Sequence, residues 1–317
     1  MQKQPTYPGR AYRGANTLLL SGMIPHDDGL LYLSTTRYGD VLHRGVGQVW
    51  TTDGLTFEPV IADGFGNPNN LGISSLASFN GCLYAGTYNP AGYEVWKLRC
   101  VSDPHAPPQA VIRGGTDVRR GEVAMSMTVF QGHLYVGTGI PFGFNPVTRH
   151  GPRGCHVVRI DAEGGWEVVV GPRRSQPRSG YPAGFGWHLN VYCWYMRQHD
   201  EHLYLGTWDM SRTIDFFSKE ARNMAPAFGP VLNAVSPRPR AWGSPLGGDL
   251  YRTADGLHWE PAFLDGLGNP DNHGIRTIES TPMGLFVGTE NPFSRLEVWL
   301  LHDTQSSAPG VIDDPIR

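Results

Sequence analysis

Residues 51–90 read TTDGLTFEPVIADGFGNPNNLGISSLASFNGCLYAGTYNP, and residues 253–292 read TADGLHWEPAFLDGLGNPDNHGIRTIESTPMGLFVGTENP. The two stretches align over forty residues without a gap, and twenty positions are identical. Internal repetition of this kind indicates a fold built from one unit that is used several times. The repeat therefore predicts the architecture before any single residue suggests a function.

A five-residue strand motif, L-[YF]-x-[GS]-T, carries the repeat through the chain. It occurs five times, at 31–35, 83–87, 134–138, 203–207 and 285–289. Each copy follows an apolar run and a short turn, which predicts a strand, a tight turn and a second strand. Third strands are predicted at 48–50, 94–96, 156–158, 249–251 and 297–299, and fourth strands at 57–62, 109–113, 166–170, 259–264 and 310–313.

Five groups of four antiparallel strands predict an all-β fold, a five-bladed β-propeller, because a single blade cannot bury both of its faces. We expect one domain over residues 1–317, with its first strand at 17–24. The predicted blades are 13–62, 63–115, 116–171, 180–265 and 266–317. A β-sandwich with a fortuitous repeat is the alternative, and it does not account for five recurrences.

The composition argues against several kinds of partner. The 317 residues carry a formal net charge of −3 and only 17% are charged, which favours neither nucleic acid nor an anionic membrane surface. No apolar stretch is long enough to span a bilayer, and residues 1–14 lack the apolar run of a secretory signal peptide. The four cysteines, Cys82, Cys100, Cys155 and Cys193, show no C-x-x-C spacing. We therefore expect reduced, packed thiols and a cytoplasmic protein.

Turns between the third and fourth strands read TTDGLTF at 51–57 and TADGLHW at 253–259. Aspartate caps such a turn, glycine takes the residue with positive φ, and the aromatic side chain packs beneath. These stretches resemble the Asp-box turn of sialidase-like bacterial β-propellers, and the whole repeat is similar to repeats of other bacterial propeller proteins. The resemblance implies the fold and a structural role for Asp53 and Asp255. It does not extend to sialidase activity, because those enzymes usually have six blades and an N-terminal arginine motif that is missing here.

The loop at 208–248 is the longest departure from the repeat. Its length is unusual for a simple connection and favours a lid or a homo-oligomer contact, with a packing insertion as the alternative. Residues 211–224 are predicted to form a short helix, because apolar residues recur there on one face and Ser211 or Thr213 can cap its start.

Asparagines occupy equivalent positions in the loops that enter the first strands. Asn70, Asn190 and Asn272 each lie fourteen residues before the aromatic residue of the strand motif, and Asn16 joins them if the first hairpin is longer. Equivalent polar side chains near a propeller axis can bind water, an ion or a ligand hydroxyl. Alternatively, each asparagine satisfies the backbone of its own loop.

Polar and aromatic residues that do not repeat are the strongest candidates for a site. Propellers usually bind ligands at one end of the central channel, where the loops before the first strands and after the second strands meet. The candidates at that end are Arg37, Glu122, Trp187, His188, Tyr192, Trp194, Trp208, Asp209, His273, Arg276 and Glu290. Carboxylates, imidazoles, an arginine and aromatic rings together suit binding and proton transfer.

The sequence thus predicts a small-molecule-binding protein, with an enzyme as the leading hypothesis. Glu122 or Asp209 would act as base or acid, and His188 or His273 as the second proton-transfer group. Arg276 and Arg37 would hold an anionic oxygen, while tryptophans stack on the substrate. Hydrolysis, elimination and cyclisation all fit this set.

Three alternatives remain open. A five-bladed glycosidase would use two or three carboxylates around the axis, with Asp40, Glu122, Asp209 and Glu290 as candidates. An axial metal ion could be held by His188, His273 and Glu122, although we predict no cofactor because nothing in the local spacing supports one. A lectin-like module or an interaction scaffold needs no catalytic group, but a lectin would repeat its site in every blade, and the polar candidates do not repeat.

Overall fold

The structure is a computed structural model that describes residues 18–37, 46–115, 121–140, 153–216 and 246–301. The chain forms two compact units. Unit 1 contains the described residues up to 140 together with 158–168. Unit 2 contains 153–157, 169–216 and 246–301.

The described residues form an all-β fold whose strands fall in the order that the sequence predicts. The first two groups are β1 Leu18–Pro25, β2 Leu31–Arg37, β3 Gln48–Thr52, β4 Phe57–Ile61, β5 Gly72–Phe79, β6 Cys82–Tyr88, β7 Val95–Cys100 and β8 Gln109–Ile112. Then follow β9 Val123–Phe130, β10 His133–Gly139, β11 Val157–Ile160 and β12 Trp166–Val170. The last strands are β13 Asn190–His199, β14 His202–Asp209, β15 Leu250–Thr253, β16 Trp259–Phe263, β17 Gly274–Thr281, β18 Gly284–Glu290 and β19 Val298–Leu301.

Helical structure is sparse among the described residues. Two short 3-10 helices cover Arg173–Ser175 and Ala183–Gly186. Residues 211–216 are α-helical, as predicted, whereas the rest of the predicted helix at 211–224 and the predicted strand at 310–313 lie outside the described residues. Over the ranges that the structure describes, no helix is both long and apolar enough to cross a membrane.

Consecutive strands of a group pair antiparallel, which confirms the predicted hairpins. This pairing joins β1 through β4, β5 through β8 and β13 through β16, as well as β9 with β10 and β17 through β19. Inside a unit, the end of one second strand pairs with the start of the next first strand. These contacts are Thr36 with Gly72, Tyr88 with Val123, and Trp208 with Gly274.

The glycine and threonine of the strand motif each have a structural reason. A Cβ on Gly86 would lie 2.5 Å from the Cβ of Ala124, because the next first strand passes too close for a side chain. The hydroxyl of Thr87 accepts the backbone N–H of Glu94 at 2.8 Å and so fixes the start of β7. The equivalent bond in unit 2 reaches Thr207 at 2.9 Å.

The aspartate turns have the geometry that their sequences predict. Asp53 Oδ1 accepts two backbone N–H groups at 2.8 Å, and Asp255 Oδ1 accepts two at 2.8 and 2.7 Å. Gly54 and Gly256 follow with φ values of 93° and 75°, in the left-handed region that glycine adopts without strain. Asp161 caps the equivalent turn of the third group, although the sequence there departs from the motif.

Each unit has its own apolar core. In unit 1, one cluster surrounds Tyr84 and Leu134, and a second surrounds Tyr32, and all three side chains are almost completely buried. In unit 2, Ile275 and Leu285 are fully buried in a third cluster. Burial of this apolar surface is the main stabilising contribution to such a fold.

The prediction of four reduced thiols is wrong for one pair. Cys82 and Cys100 form a disulfide between β6 and β7, where the antiparallel register places them opposite each other. The two cysteines are 18 residues apart in the sequence, and they come together only through strand pairing. Their spacing alone therefore does not predict the disulfide. Cys155 and Cys193 are buried thiols that form no disulfide, as expected.

Candidate functional site

The predicted ring of asparagines consists of buried scaffold residues. Asn70 is fully buried, and its Nδ2 donates to the Gly64 carbonyl at 2.8 Å and to the Glu94 carboxylate at 2.7 Å. Asn272 makes the equivalent bonds at 2.9 and 2.7 Å, and Asn190 at 3.2 and 2.8 Å. Their amides are used inside the protein instead of binding a ligand as predicted. Asn16 lies outside the described residues.

These amides hold a loop that sequence reasoning missed as a shared element. Phe65, Phe185 and Leu267 each lie between two glycines and have φ values of 61°, 57° and 60°. The Phe65 ring stacks on Trp96 with centroids 4.6 Å apart, and the Phe185 ring stacks on Tyr251 at 4.0 Å. The G-[FL]-G spacing was visible in the sequence, and the loop fixes where the next first strand begins.

A β-bulge in the first strands directs two candidate side chains out of the ladder. The register of β13 with β14 shifts at Trp194, and the register of β17 with β18 shifts at Arg276. Bulges of this kind re-aim a side chain and are common beside functional sites. The Arg276 guanidinium lies 4.7 Å from the centroid of the Trp194 ring, in a cation–π contact.

A histidine–carboxylate–arginine cluster lies beside this contact in unit 2. His273 is 5% exposed, with Nδ1 3.2 Å from Thr213 Oγ1 and Nε2 3.8 Å from Glu290 Oε1. Arg276 Nη1 donates to Glu290 Oε2 at 3.1 Å. The His273 imidazole and the Arg276 guanidinium together hold the pKa of Glu290 below its ordinary value, against the opposing effect of partial burial.

Two buried donor nitrogens of this cluster lack a hydrogen bond within the described part of the chain. Trp208 is 8% exposed, and its ring meets the His273 ring edge-on with centroids 5.4 Å apart. Neither Trp208 Nε1 nor His273 Nε2 has a hydrogen bond to any residue that the structure describes. Buried polar atoms are nearly always paired, so these two atoms are the most unusual polar groups near the cluster.

Aromatic rings form an apolar wall around the cluster. The Tyr192 ring lies 4.7 Å and the Trp194 ring 5.8 Å from Trp208, measured between centroids. The Phe293 ring, which the sequence did not single out, meets His273 at 5.8 Å. The structure thus brings four predicted aromatic or basic residues together with His273 and Glu290.

Asp209 has a structural position instead of the predicted catalytic one. It is fully buried, and its Oδ2 accepts the indole N–H of Trp187 at 2.7 Å. Its Oδ1 accepts the backbone N–H of Ser211 at 2.5 Å and also the Ser211 hydroxyl. Because both oxygens are occupied, Asp209 closes the turn that leads into the helix at 211–216 and fixes Trp187.

His188 lies next to Trp187, with ring centroids 5.1 Å apart, and its side chain reaches the surface. Partial desolvation lowers the pKa of His188. Among the described residues, no hydrogen bond, ion pair or ring contact joins His188 to the His273 cluster.

The remaining candidates belong to unit 1. Glu122 is 1% exposed there, and its backbone carbonyl accepts the Asn89 N–H at 2.7 Å. Arg37 ends β2, but its side chain and all of Asp40 lie outside the described residues. Within the ranges that the structure covers, no group of three His, Cys, Asp or Glu side chains could hold a metal ion.

The sequence matches no protein-family model and no curated protein. Its fold has similarities among solved structures, two of them α-L-arabinofuranosidases. The enzyme from Clostridium thermocellum is 12% identical, with a TM-score of 0.44 over 96% of this chain and 95% of the other. The enzyme of Fusarium graminearum, in complex with arabinobiose, is 11% identical, with a TM-score of 0.44 over 93% of this chain and 80% of the other. An endo-arabinase from Bacteroides thetaiotaomicron is 9% identical, with a TM-score of 0.39 over 92% of this chain and 96% of the other. TM-scores below 0.5 do not assign an activity to this chain.

Proposed function

We propose that unit 2 binds a small polar molecule at the His273–Glu290–Arg276 cluster and transfers a proton there through His273. The observation that carries this proposal is a buried imidazole whose Nε2 has no hydrogen bond among the described residues and faces a carboxylate at 3.8 Å. Histidine is the side chain best suited to proton transfer near neutral pH. A structural histidine would use both ring nitrogens on protein groups.

The neighbours of His273 favour one tautomer. A carboxylate only accepts hydrogen bonds, so the position of Glu290 favours a proton on Nε2. The Thr213 hydroxyl can then donate to Nδ1, at 3.2 Å. Proton transfer uses the other tautomer: with its hydrogen on Nδ1 and donated to Thr213 Oγ1, His273 would receive a proton at Nε2 from a ligand oxygen. The imidazolium so formed, beside the ionised Glu290, would return that proton from Nε2.

Arg276 supplies the binding group for an anionic or developing negative oxygen. One guanidinium nitrogen is committed to Glu290 at 3.1 Å, and the side chain is 56% exposed, so further N–H donors face the solvent. Trp194 lies against the guanidinium and offers an aromatic surface for stacking. The set supports hydrolase, lyase or cyclase chemistry on a small polar or aromatic substrate.

A lectin-like module is the second candidate function, and an interaction scaffold the third. The lectin is favoured by the repeats themselves, which could each present one sugar site. The cluster does not repeat, however: the first copy has Leu71, Ser74 and Tyr88 where the second has His273, Arg276 and Glu290. This difference supports one site over five equal ones. The five-bladed ring, the cytoplasmic location and a homo-oligomer contact through 208–248 stay predictions.

The test compares glutamine variants of the cluster on three panels of 4-nitrophenyl substrates: glycosides, carboxylate esters and phosphate esters. If one class is turned over, we expect His273→Gln to lower kcat/KM by about 100-fold and Glu290→Gln by about tenfold, because general acid–base groups contribute at this scale. Both variants should keep the melting temperature within a few degrees. No turnover of any class by the wild type, or equal turnover by His273→Gln, would contradict the proposal.

Glu260→Gln is the matched control. Glu260 accepts Arg252 Nε at 2.7 Å in the same unit and is 58% exposed, so this change removes one carboxylate from an arginine pair without an adjacent imidazole. We expect unchanged kcat/KM. A lectin would instead show no turnover but several equal binding sites for one sugar by titration.

A further inference from the structure

A polar depression of about 400 Å³ lies on unit 1, whereas the cluster described above belongs to unit 2. It is formed by the first residue of β10, by β11, by the β11–β12 turn and by the start of β12. Its lining residues are His133, Arg159, Asp161, Gly165, Trp166 and Glu167. We call it the β11–β12 depression.

Part of this lining has a purely structural explanation. Arg159 Nε donates to Glu167 Oε1 at 2.6 Å across the β11–β12 hairpin. The β15–β16 hairpin of unit 2 has the same pair, with Arg252 Nε 2.7 Å from Glu260 Oε1. Cross-strand pairs of opposite charge stabilise antiparallel strands, so this ion pair does not indicate a ligand.

The tryptophan at the start of β12 is not explained in this way. Trp166 is 42% exposed, whereas Trp259, at the equivalent position of β16, is 5% exposed. Phe185 packs edge-on against Trp259 with ring centroids 5.7 Å apart. An exposed indole beside polar groups is a typical platform for a ligand with an apolar or cationic face.

The aspartate of the turn also differs between the two hairpins. Asp161 Oδ1 accepts the backbone N–H groups of Glu163 and Gly165 at 3.0 and 2.7 Å, while Oδ2 has no hydrogen bond among the residues that the structure describes. In the β15–β16 turn, Asp255 Oδ2 is occupied by His258 Nδ1 at 2.5 Å. The β11–β12 depression therefore offers a carboxylate oxygen that its counterpart does not.

The geometry of His133 settles which of its nitrogens can accept. Nδ1 lies 3.0 Å from the Gln131 carbonyl, and a carbonyl only accepts, so Nδ1 carries the hydrogen. In the neutral imidazole, Nε2 is then a hydrogen-bond acceptor. No described residue donates to it.

Apart from the Arg159–Glu167 ion pair, the depression presents two hydrogen-bond acceptors, on Asp161 and His133. It also presents the exposed Trp166 ring and one negative charge that has no counterion in the lining. Because the Glu167 charge is offset by Arg159, the Asp161 carboxylate sets the sign of the depression. We propose that the β11–β12 depression binds the primary ammonium group of an organic cation. The ammonium donates to Asp161 Oδ2 and His133 Nε2, and its charged head or its alkyl chain lies on Trp166. A neutral polyol would also find acceptors and an aromatic face, but it leaves the carboxylate charge uncompensated.

Saturation-transfer NMR with three small probes tests this inference on the full-length chain. The probes are n-butylammonium, n-butanol and methyl α-glucoside. We expect saturation transfer to n-butylammonium only, with a Kd on the order of 1 mM for so small an exposed contact. The signal should weaken as salt screens the ion pair. No transfer at about 50 mM probe, far above that Kd, or equal transfer to n-butanol or methyl α-glucoside, overturns the proposal.

Asp161→Asn is the decisive variant, since asparagine keeps one side-chain oxygen for the turn and replaces Oδ2 by an N–H donor. We expect at least a tenfold loss of n-butylammonium affinity. Asp255→Asn makes the same change in a turn whose second oxygen is occupied, and it should bind like the wild type. If Asp161→Asn does not fold, Trp166→Leu supplies the same test on the exposed platform. Wild-type affinity in the folded variant contradicts the proposal.

Discussion

The two copies of the forty-residue repeat share a scaffold and differ in chemistry. In residues 51–90, which belong to unit 1, Asn89 Nδ2 donates to Asn70 Oδ1 at 2.8 Å. In residues 253–292, which belong to unit 2, Asn291 donates to Asn272 at 3.0 Å. Every position in these bonds is identical in the two sequences and buried in both.

The two copies differ at positions that do not take part in these shared hydrogen bonds. The bulge of the first strand carries Ser74 in one copy and Arg276 in the other, and the second strand ends in Tyr88 or in Glu290. The Ser74 hydroxyl donates to backbone carbonyls at 2.7 and 3.2 Å, whereas Arg276 reaches an ionised carboxylate. A bulge that both copies retain can therefore hold a strand in one place and present a functional group in the other.

The largest expected effect concerns the shared scaffold. Asn70→Ala and Asn272→Ala each remove three buried hydrogen bonds, one to a backbone carbonyl, one to a carboxylate and one from the amide of Asn89 or Asn291. At about 1 kcal/mol for each lost hydrogen bond, and more for the one to the charged carboxylate, we expect each variant to lose about 3 kcal/mol of unfolding free energy. Urea unfolding at neutral pH measures both values. A loss below about 1 kcal/mol in one copy alone would show that the scaffolds are not equivalent.

A second expected effect concerns a feature that only the first copy has. Cys82 is bonded to Cys100, whereas the equivalent position of the second copy is Gly284. Closing a loop of 18 residues lowers the entropy of the unfolded chain, which corresponds to about 3 kcal/mol in the chain-entropy model. We expect Cys82→Ala with Cys100→Ala to lower the melting temperature, and a reducing agent to do the same to the wild type only. Equal melting temperatures with and without reductant would mean that the bond contributes nothing.

The disulfide also bears on the predicted compartment. Disulfides persist in oxidising environments and are rare in the cytosol. The expectation of a cytoplasmic protein rested partly on reduced cysteines, and the bond between Cys82 and Cys100 removes that support.

Most of the fold followed from the sequence because repetition compares the chain with itself. Alternation of apolar residues and turn residues such as Gly54 and Gly256 located the strands, since both depend on local geometry. The disulfide did not follow, because it depends on the register between β6 and β7.

The candidate site was only partly predictable for a similar reason. Departure from the repeat singled out His273, Arg276 and Glu290, and the structure brings these three together. The sequence comparison could not show that both oxygens of Asp209 accept hydrogen bonds from Trp187 and Ser211, because burial and hydrogen bonding are set by tertiary structure. Nor could it show the bulge that re-aims Arg276, since a bulge is defined by its partner strand.

The smallest expected effect replaces Arg276 by the serine of the first copy. Arg276 is 56% exposed and Glu290 36%, so Arg276→Ser should change the unfolding free energy at pH 7 by less than about 1 kcal/mol. The sign of its pH dependence is nevertheless fixed. The folded pKa of Glu290 lies below the ordinary value of 4.5, so the stabilisation is complete above about pH 4.5 and is lost as the pH falls through the lowered folded pKa.

The difference in melting temperature between the wild type and Arg276→Ser should therefore shrink as the pH falls below about 4.5. Calorimetry across this range measures it. In a Glu290→Gln background, the same arginine change should give a difference that does not vary with pH, because the titrating partner is gone. A pH-dependent difference that persists in that background would show that Arg276 interacts with another titrating group. The Arg276–Glu290 pair alone would then not explain the difference between the two copies.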